Sequence, residues 1–429
     1  MYYNLYDKYK NMAKSYKNTC INEFDRSAIS VEKALSKILL AIKGSQIHEK
    51  VSLKNSLGRI SSENVISKIN IPTFKNSAMD GYAINTKSLS SKNDFCLKEV
   101  GISYAGRPYL NKLNNGETIK VMTGAVIPKN ADAVIMKEMT KQLNGLIKFP
   151  EKIKSGQNVR YIGEDIKKLS TVIPKGKELN FIDLGIMSSI GIQNIKVIKK
   201  PVIAFFSTGD ELTQVGKKLK EGEIYDSNRY LLHGLLSELP VEIKDMGVVK
   251  DNKKKLKEKF MNASKKSNFI ITTGGVSVGE ADYVRDILNE IGRIDFWKIS
   301  IKPGRPLAFG KIKNSYFFGL PGNPVSTVIT FQLFVLPAIE KMLNKNKRNY
   351  LFINAITKST IIKKKGRMEY QRAKLIKSKN KYFVKTTGLQ GSNILTSLAA
   401  ANCYIRLAAN TSKVNKGDYV EVLPFTNKF

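Results

Sequence analysis

From residue 201 onward, short apolar runs alternate with longer stretches in which apolar positions recur every three or four residues. Residues 202–206, 241–249, 269–272 and 315–319 have the length and the β-branched or aromatic content of buried strands. Residues 230–239, 253–265, 284–291 and 325–343 have helical spacing. This alternation predicts βαβ units and a parallel, doubly wound sheet. Upstream, residues 30–42 read as an amphipathic helix with Ser30 as its N-cap, and residues 181–189 as a second helix. Between residues 95 and 149, short strands are separated by Gly, Pro and Asn, which predicts a small β-rich insert. After Lys345 the β pattern returns, with turns at Gly366, Gly388, Gly391 and Gly417. The expected class is a multidomain α/β protein. Residues 27–71 with 150–199 make an elongated mixed domain, 72–149 an inserted β-rich domain, 200–349 the central doubly wound domain, and 350–429 a C-terminal β-barrel-like domain.

Composition changes this picture little, and charge changes it more. The 429 residues are 42% hydrophobic and 25% charged, close to globular averages. Lys+Arg number 72 against 36 Asp+Glu, a net charge of +36. Such a balance suggests an anionic partner. The lysines are scattered along the chain, though, and the dense runs 253–255, 345–348 and 363–365 read as solvated helix ends or loops. Together with the abundance of Asn and Ile, the pattern is what AT-rich coding drift produces, which argues against nucleic acid and for a polyanionic small substrate. Cys20, Cys96 and Cys403 are odd in number and far apart, with no CxxC or Cys/His cluster, so neither a zinc site nor a disulfide framework is expected and a reducing compartment fits. No apolar leader is visible. The most apolar stretch, 325–339, contains Gln332 and Pro337 and reads as too short for a bilayer span. The expectation is a cytoplasmic protein without a membrane partner.

Candidate chemistry lies where the strands end. Ligands of open α/β sheets bind beyond the carboxyl ends of the strands. There the chain places Ser207-Thr208-Gly209-Asp210-Glu211, then Asp251, then Thr273-Gly274-Gly275-Val276-Ser277 running on to Glu280 and Asp282, then Gly319-Leu320-Pro321-Gly322-Asn323-Pro324. Glycines let the backbone approach a ligand, and free N–H groups at a helix start favour phosphate. Acids in such a turn either hold a metal, move a proton or are simply solvated. Asp210 and Glu211 are adjacent, so in an extended loop only one would face a ligand. Asp226 and Asp251 each read equally well as a helix N-cap. Lys298 and Lys302, on alternate positions of one strand, would share a face.

Eight motifs in order complete the reading: 76–83 (NSAMDGYA), 122–125 (MTGA), 163–165 (GED), 207–212 (STGDEL), 224–228 (IYDSN), 273–283 (TGGVSVGEADY), 302–306 (KPGRP) and 319–326 (GLPGNPVS). The set resembles the MoeA family, the molybdopterin molybdenumtransferases, whose animal relative is the E domain of gephyrin. The match runs from about Ser27 to Pro424. The resemblance implies that molybdate and adenylylated molybdopterin give molybdenum cofactor and AMP, with Mg²⁺, on the central domain. It implies roles in catalysis for Asp80, Thr123, Asp165, Glu211, Asp251 and Asp282, with Asp282 and Glu211 toward the metal. It implies substrate contacts for Ser207, Thr208, Gly209, Asp210, Asp226, Gly274, Gly275, Ser277, Lys298, Lys302, Pro321, Gly322, Asn323, Pro324, Arg372 and Ser392. It further implies a homodimer in which Asp80, Thr123 and Asp165 come from the second protomer's face of the cleft, and a molybdopterin adenylyltransferase as donor. Arg305 departs from the family, many of whose bacterial members carry lysine there; the charge is kept and the fork geometry changes. Two other readings are a gephyrin-like scaffold and a nucleic-acid-binding relic. The absence of a fused N-terminal domain speaks against the first, and the retained acids against the second.

Overall fold

The computed structural model describes residues 28–89, 96–275, 283–346 and 352–425. The chain forms two compact units. The smaller comprises Ser45–Lys199 with Asn344–Asn346, and the larger comprises the rest. In the larger unit, α1 (Val31–Ala41) opens as expected, with Ser30 Oγ accepting the Lys33 N–H.

The smaller unit holds a long antiparallel pair and a six-stranded sheet. Strand β1 (His48–Ser52) pairs with a strand further along the chain, β8 (Asn194–Ile198). Between them come β2 (Gly81–Ile84), β3 (Cys96–Ser103), β4 (Glu117–Val121), β5 (Ala133–Met136), β6 (Lys141–Leu143) and β7 (Leu146–Lys148). Their order is β5-β2-β4-β3-β7-β6. Asn144 and Gly145, both at positive φ, join β6 to β7 as the two-residue turn that matches strand twist. At Gly81 a Cβ would lie 2.0 Å from the Ile135 carbonyl oxygen, so this strand passes its neighbour only because glycine is there. Helix α2 (Phe181–Ser189) is closed by a capping box between Asn180 and Asp183.

The larger unit is built on β9 (Val202–Thr208), α3 (Ser227–Ser237), β10 (Glu242–Val249), α4 (Lys253–Ser264), β11 (Phe269–Thr273), α5 (Tyr283–Ile291), β12 (Gly292–Lys298), β13 (Pro306–Ile312) and β14 (Ser315–Leu320). The sheet order is β10-β9-β11-β14-β13-β12. The first four are parallel, as the alternation predicts; β13 and β12 are antiparallel, a feature the periodicity did not show. Strand β11 is buried at every position, as a strand covered on both faces must be. Leu256, Phe260 and Ala263 of α4 recur at helical spacing and enter the core beside Phe206 and Phe317, with ring centroids 5.2 and 5.6 Å from Phe260.

Residues Pro324–Met342 form one 19-residue helix, α6, close to the 325–343 that the spacing predicts and running through Gln332 and Pro337. The chain passes the proline through a π-turn at Phe331–Val335, where the Leu336 N–H donates to the Phe331 carbonyl. Pro337 lacks an N–H, and the widened turn lets the helix continue past it. The helix is long and apolar enough to cross a membrane by length and composition, and 78% of it is buried inside the fold.

The C-terminal segment contributes β15 (Ile353–Thr357), β16 (Met368–Ser378), β17 (Lys381–Thr386), β18 (Cys403–Leu407) and β19 (Tyr419–Pro424). They run β16-β17-β15-β19-β18, and β18 pairs back onto β16 to close a five-stranded barrel. Lys363, read from sequence as solvated, is buried in this region; its ammonium donates to the carbonyls of Ala408, Ala409 and Thr411 at 3.0, 3.4 and 3.0 Å. Three carbonyls exposed by a chain bend supply what a buried ammonium requires.

Candidate functional site

Parallel register brings the strand ends of the larger unit into line: Ser207 pairs with Thr273, Thr273 with Leu320, and Thr208 with Val249. The loops that follow therefore emerge side by side. Gly274, at φ +81°, lies so close to β9 that a Cβ would be 2.3 Å from the Thr208 carbonyl oxygen. At Gly275 a Cβ would be 2.6 Å from Thr208 Oγ1. Both glycines are thus required by close backbone approach as well as by conformation. Ser207 is fully buried and accepts from Thr273 Oγ1 at 3.1 Å, so its hydroxyl joins two strands. Ser277 and Asp282 lie outside the described residues.

Asp210 and Glu211 sit in a turn, where Leu212 N–H donates to the Gly209 carbonyl, and not in an extended loop. The turn removes the expected alternation. Glu211 folds back over Gly209, whose missing Cβ leaves room for the carboxylate. Asp210 Oδ1 accepts the Asp251 N–H at 3.2 Å, and Lys250 Nζ donates to the Asp210 carbonyl. Asp251 does not cap α4; Asn252 does, accepting the Lys255 N–H. The Asp251 carboxyl is instead held above the usual range by partial burial and then by the negative charges of Asp210 and Glu211. Three acids thus share one electrostatic neighbourhood at the strand ends.

Asp226 does cap α3, with Oδ1 accepting the Arg229 N–H at 3.1 Å. Asn228, in the first turn, donates Nδ2 to the Gly322 carbonyl at 2.6 Å. That contact ties α3 to the loop after β14, and residue-type reasoning passed Asn228 over although its motif was noticed. In that loop Pro321 is buried, and Thr327 Oγ1 donates to the carbonyls of Pro321 and Asn323 at 2.6 and 3.1 Å. Asn323 is the N-cap of α6 and Pro324 stands in its first turn. The Val325 N–H is taken by the Ser392 carbonyl at 3.1 Å, so Ser392 reaches the site through its backbone.

Arg372 is 1% exposed, and its guanidinium donates to Ser397 Oγ and to the carbonyls of Leu389, Gln390 and Gly391. Gln390 returns two bonds to the Arg372 backbone. Arg372 therefore shapes the loop that carries Ser392, and four of the bonds its guanidinium can donate go to that region. Lys298 and Lys302 do not share a strand face. Lys298 ends β12 opposite Pro306, the chain bends at Ser300, and Ile301–Lys302 pair with the barrel at Met368 and Glu369. Lys302 is half-exposed and 3.4 Å from Glu369, which also accepts from Gln371 at 2.9 Å.

In the smaller unit, Asp80 and Thr123 come together. Asp80 Oδ1 accepts the Thr123 N–H at 2.7 Å and its hydroxyl at 2.8 Å. These bonds hold the exposed carboxyl below its usual range, with smaller help from Lys120 and Lys137. Asp165 is exposed at the end of a loop whose N–H groups at Gly163 and Asp165 donate to Pro72 and Ile71. That loop is thereby moored to the segment leading to Asp80.

Residues 29–191 match the MoeA N-terminal region (domain I and II), 204–341 a probable molybdopterin binding domain, and 354–425 the MoeA C-terminal region (domain IV). The chain is 39% identical to a molybdopterin molybdenumtransferase of Haemophilus influenzae, over 93% of this chain and 99% of that one. It is 30% identical to a molybdopterin molybdenumtransferase of Bacillus subtilis, over 93% and 94%. Among solved structures, the molybdopterin biosynthesis moeA protein of Pyrococcus horikoshii superposes with a TM-score of 0.81 at 30% identity, covering 93% of this chain and all of that one. With this agreement across sequence, order of regions and fold, the chain belongs to the MoeA family of molybdopterin molybdenumtransferases.

Proposed function

We propose that this protein transfers molybdenum from molybdate to adenylylated molybdopterin, releasing AMP, in molybdenum cofactor biosynthesis. The observation that carries the reading is the strand-end array, where a close-packed double-glycine turn, the Gly319–Pro324 loop and the loops carrying Asp210, Glu211 and Asp251 follow aligned parallel strands. A glycine turn beside a helix start suits phosphate, and the strongly positive chain suits an anion such as molybdate. Arg372, through its loop, and Asn228, through Gly322, hold that array in position.

Mg²⁺ dependence is part of the same proposal. Among the described residues no three acids, histidines or cysteines converge on a single point. Asp210 and Glu211 offer hard oxygen donors, and Asp251 registers the charge of both. Such an open set fits Mg²⁺, which keeps waters and takes substrate phosphate oxygens for the remainder. Glu211, with Asp282 from sequence, would hold it. When bound, the cation neutralises charge on the phosphoanhydride. The chain's own part is positioning: the Gly274–Gly275 turn would let a phosphate come close to the main chain, and Glu211 and Asp251 would keep acids beside it.

A homodimer, a cytoplasmic location and a molybdopterin adenylyltransferase as donor complete the proposal. A single-turnover assay with the purified protein, adenylylated molybdopterin, molybdate and Mg²⁺ tests it. AMP release is expected to require molybdate and to fall by about two to three orders of magnitude in Glu211→Gln and Asp282→Ala, the size of losing one electrostatic group in an active site. A folded protein that retains the adenylate without release would overturn the transferase reading in favour of a carrier. Native mass at twice the monomer value is expected in the same preparation.

A further inference from the structure

At the head of α3 two side-chain oxygens are buried without a partner among the described residues. Asp226 is 3% exposed; its Oδ1 caps the helix, and its Oδ2 accepts nothing. Asn228 is 8% exposed; its Nδ2 is committed to the Gly322 carbonyl, which fixes the amide so that Oδ1 is an acceptor, and this too is unpaired. A buried acceptor left unpaired is costly, and two in the first turn of one helix point to a ligand that supplies donors. The place is part of the strand-end array, since a Cβ on Gly322 would stand 3.8 Å from Gly274 Cα. Phosphate and molybdate oxygens are excluded, because they bring acceptors to acceptors. A hard cation fits poorly: the pair carries one carboxyl, and the positive end of an 11-residue helix opposes it. A flat heterocycle with adjacent N–H groups supplies donors of the kind this pair lacks.

We propose that Asp226 Oδ2 and Asn228 Oδ1 read the N3–H and 2-amino donor edge of the pterin ring, so that the site selects a 2-amino-4-oxo pteridine over its 2,4-dioxo counterpart. This rests on the reading of molybdopterin as substrate and assigns the part of it that these residues recognise. Asp226 acts here as a specificity residue.

The test is a fluorescence titration of the full-length protein with pterin and, separately, with lumazine, in which the 2-amino donor is replaced by a carbonyl acceptor. The protein is expected to bind pterin at least about tenfold more tightly, because a site built to accept from an N–H penalises the analogue lacking it. Asp226→Asn keeps the helix cap, since Asn caps as well as Asp, and turns the amide nitrogen to where Oδ2 stood. In this variant the preference is expected to disappear or reverse, with an unchanged thermal midpoint. Asp226→Ser, also a cap, is expected to lose the pterin preference without gaining lumazine. Equal affinity for both pteridines, no saturable binding of either, or a preference that Asp226→Asn leaves intact would overturn the proposal. Molybdate-dependent AMP release by the unmodified protein would stand in any of those cases. A preference that switches in a protein that releases no AMP would uphold the donor-edge site and remove the transferase reading.

Discussion

Two single acids, one in each unit, carry opposite pH signatures. Asp251 has its folded pKa raised above 3.8, so its contribution to stability is present below that value and is lost as pH rises through the raised folded value. At neutral pH its ionised form is therefore a liability. Asp251→Asn is expected to raise the unfolding free energy measured by urea denaturation at pH 7 by on the order of a few tenths of a kcal/mol, since solvent screens a half-buried carboxyl. The gain should vanish near pH 4, while activity is lost. Asp80 has the reverse sign: its folded pKa lies below 3.8, so its bonds to Thr123 stabilise above that value and fail as pH falls through the lowered one. Cysteine reactivity separates just as clearly. Burial pushes the Cys403 thiol up to about 12, whereas Cys96 is half-buried. Alkylation of the native protein at pH 8, read by peptide mass spectrometry, should label Cys96 and spare Cys403 until the chain is unfolded.

At the scale of elements, the barrel loop around Gln390 depends on one guanidinium. Arg372→Leu would leave the Leu389, Gln390 and Gly391 carbonyls without their donor, at an expected cost of about 1–3 kcal/mol or more by chemical denaturation. Periodicity located the helices and parallel strands of the larger unit within a few residues, because each has one dominant burial pattern. It did not resolve β12 and β13: a single strand was expected across Lys298 and Lys302, where the structure ends β12, bends, and starts a separate pairing with the barrel before β13. Motifs pointed to the strand-end loops, but the bonding of their residues depends on tertiary partners. Asp210 and Glu211 share a neighbourhood because the chain turns, and Asn252 took the cap that Asp251 could have filled. Asn228 escaped notice because its importance lies in Gly322, 94 residues away. Gln390 and Thr327 escaped for the same reason.

At the scale of the whole molecule, the net charge of +36 should be felt by anionic substrates before contact. The expected outcome is a kcat/KM that falls as ionic strength rises from about 0.01 to 0.15 M, where the Debye length shortens from roughly 30 to 8 Å, with kcat nearly unchanged. A flat profile would mean that the scattered lysines do not act together. Helix α6 raises a different matter, one of timing during synthesis. Tyr404, fully buried on β18, donates its hydroxyl to Gln332 in the π-turn of that helix at 2.8 Å. The cover for this apolar segment is thus encoded 72 residues after it. While the ribosome is still making the barrel, α6 has emerged with part of its packing surface bare, and a growing chain with such a segment is a natural client for a holding chaperone. Overproduction of this protein should therefore be limited by how fast its last strands arrive, more than by the stability of the finished fold.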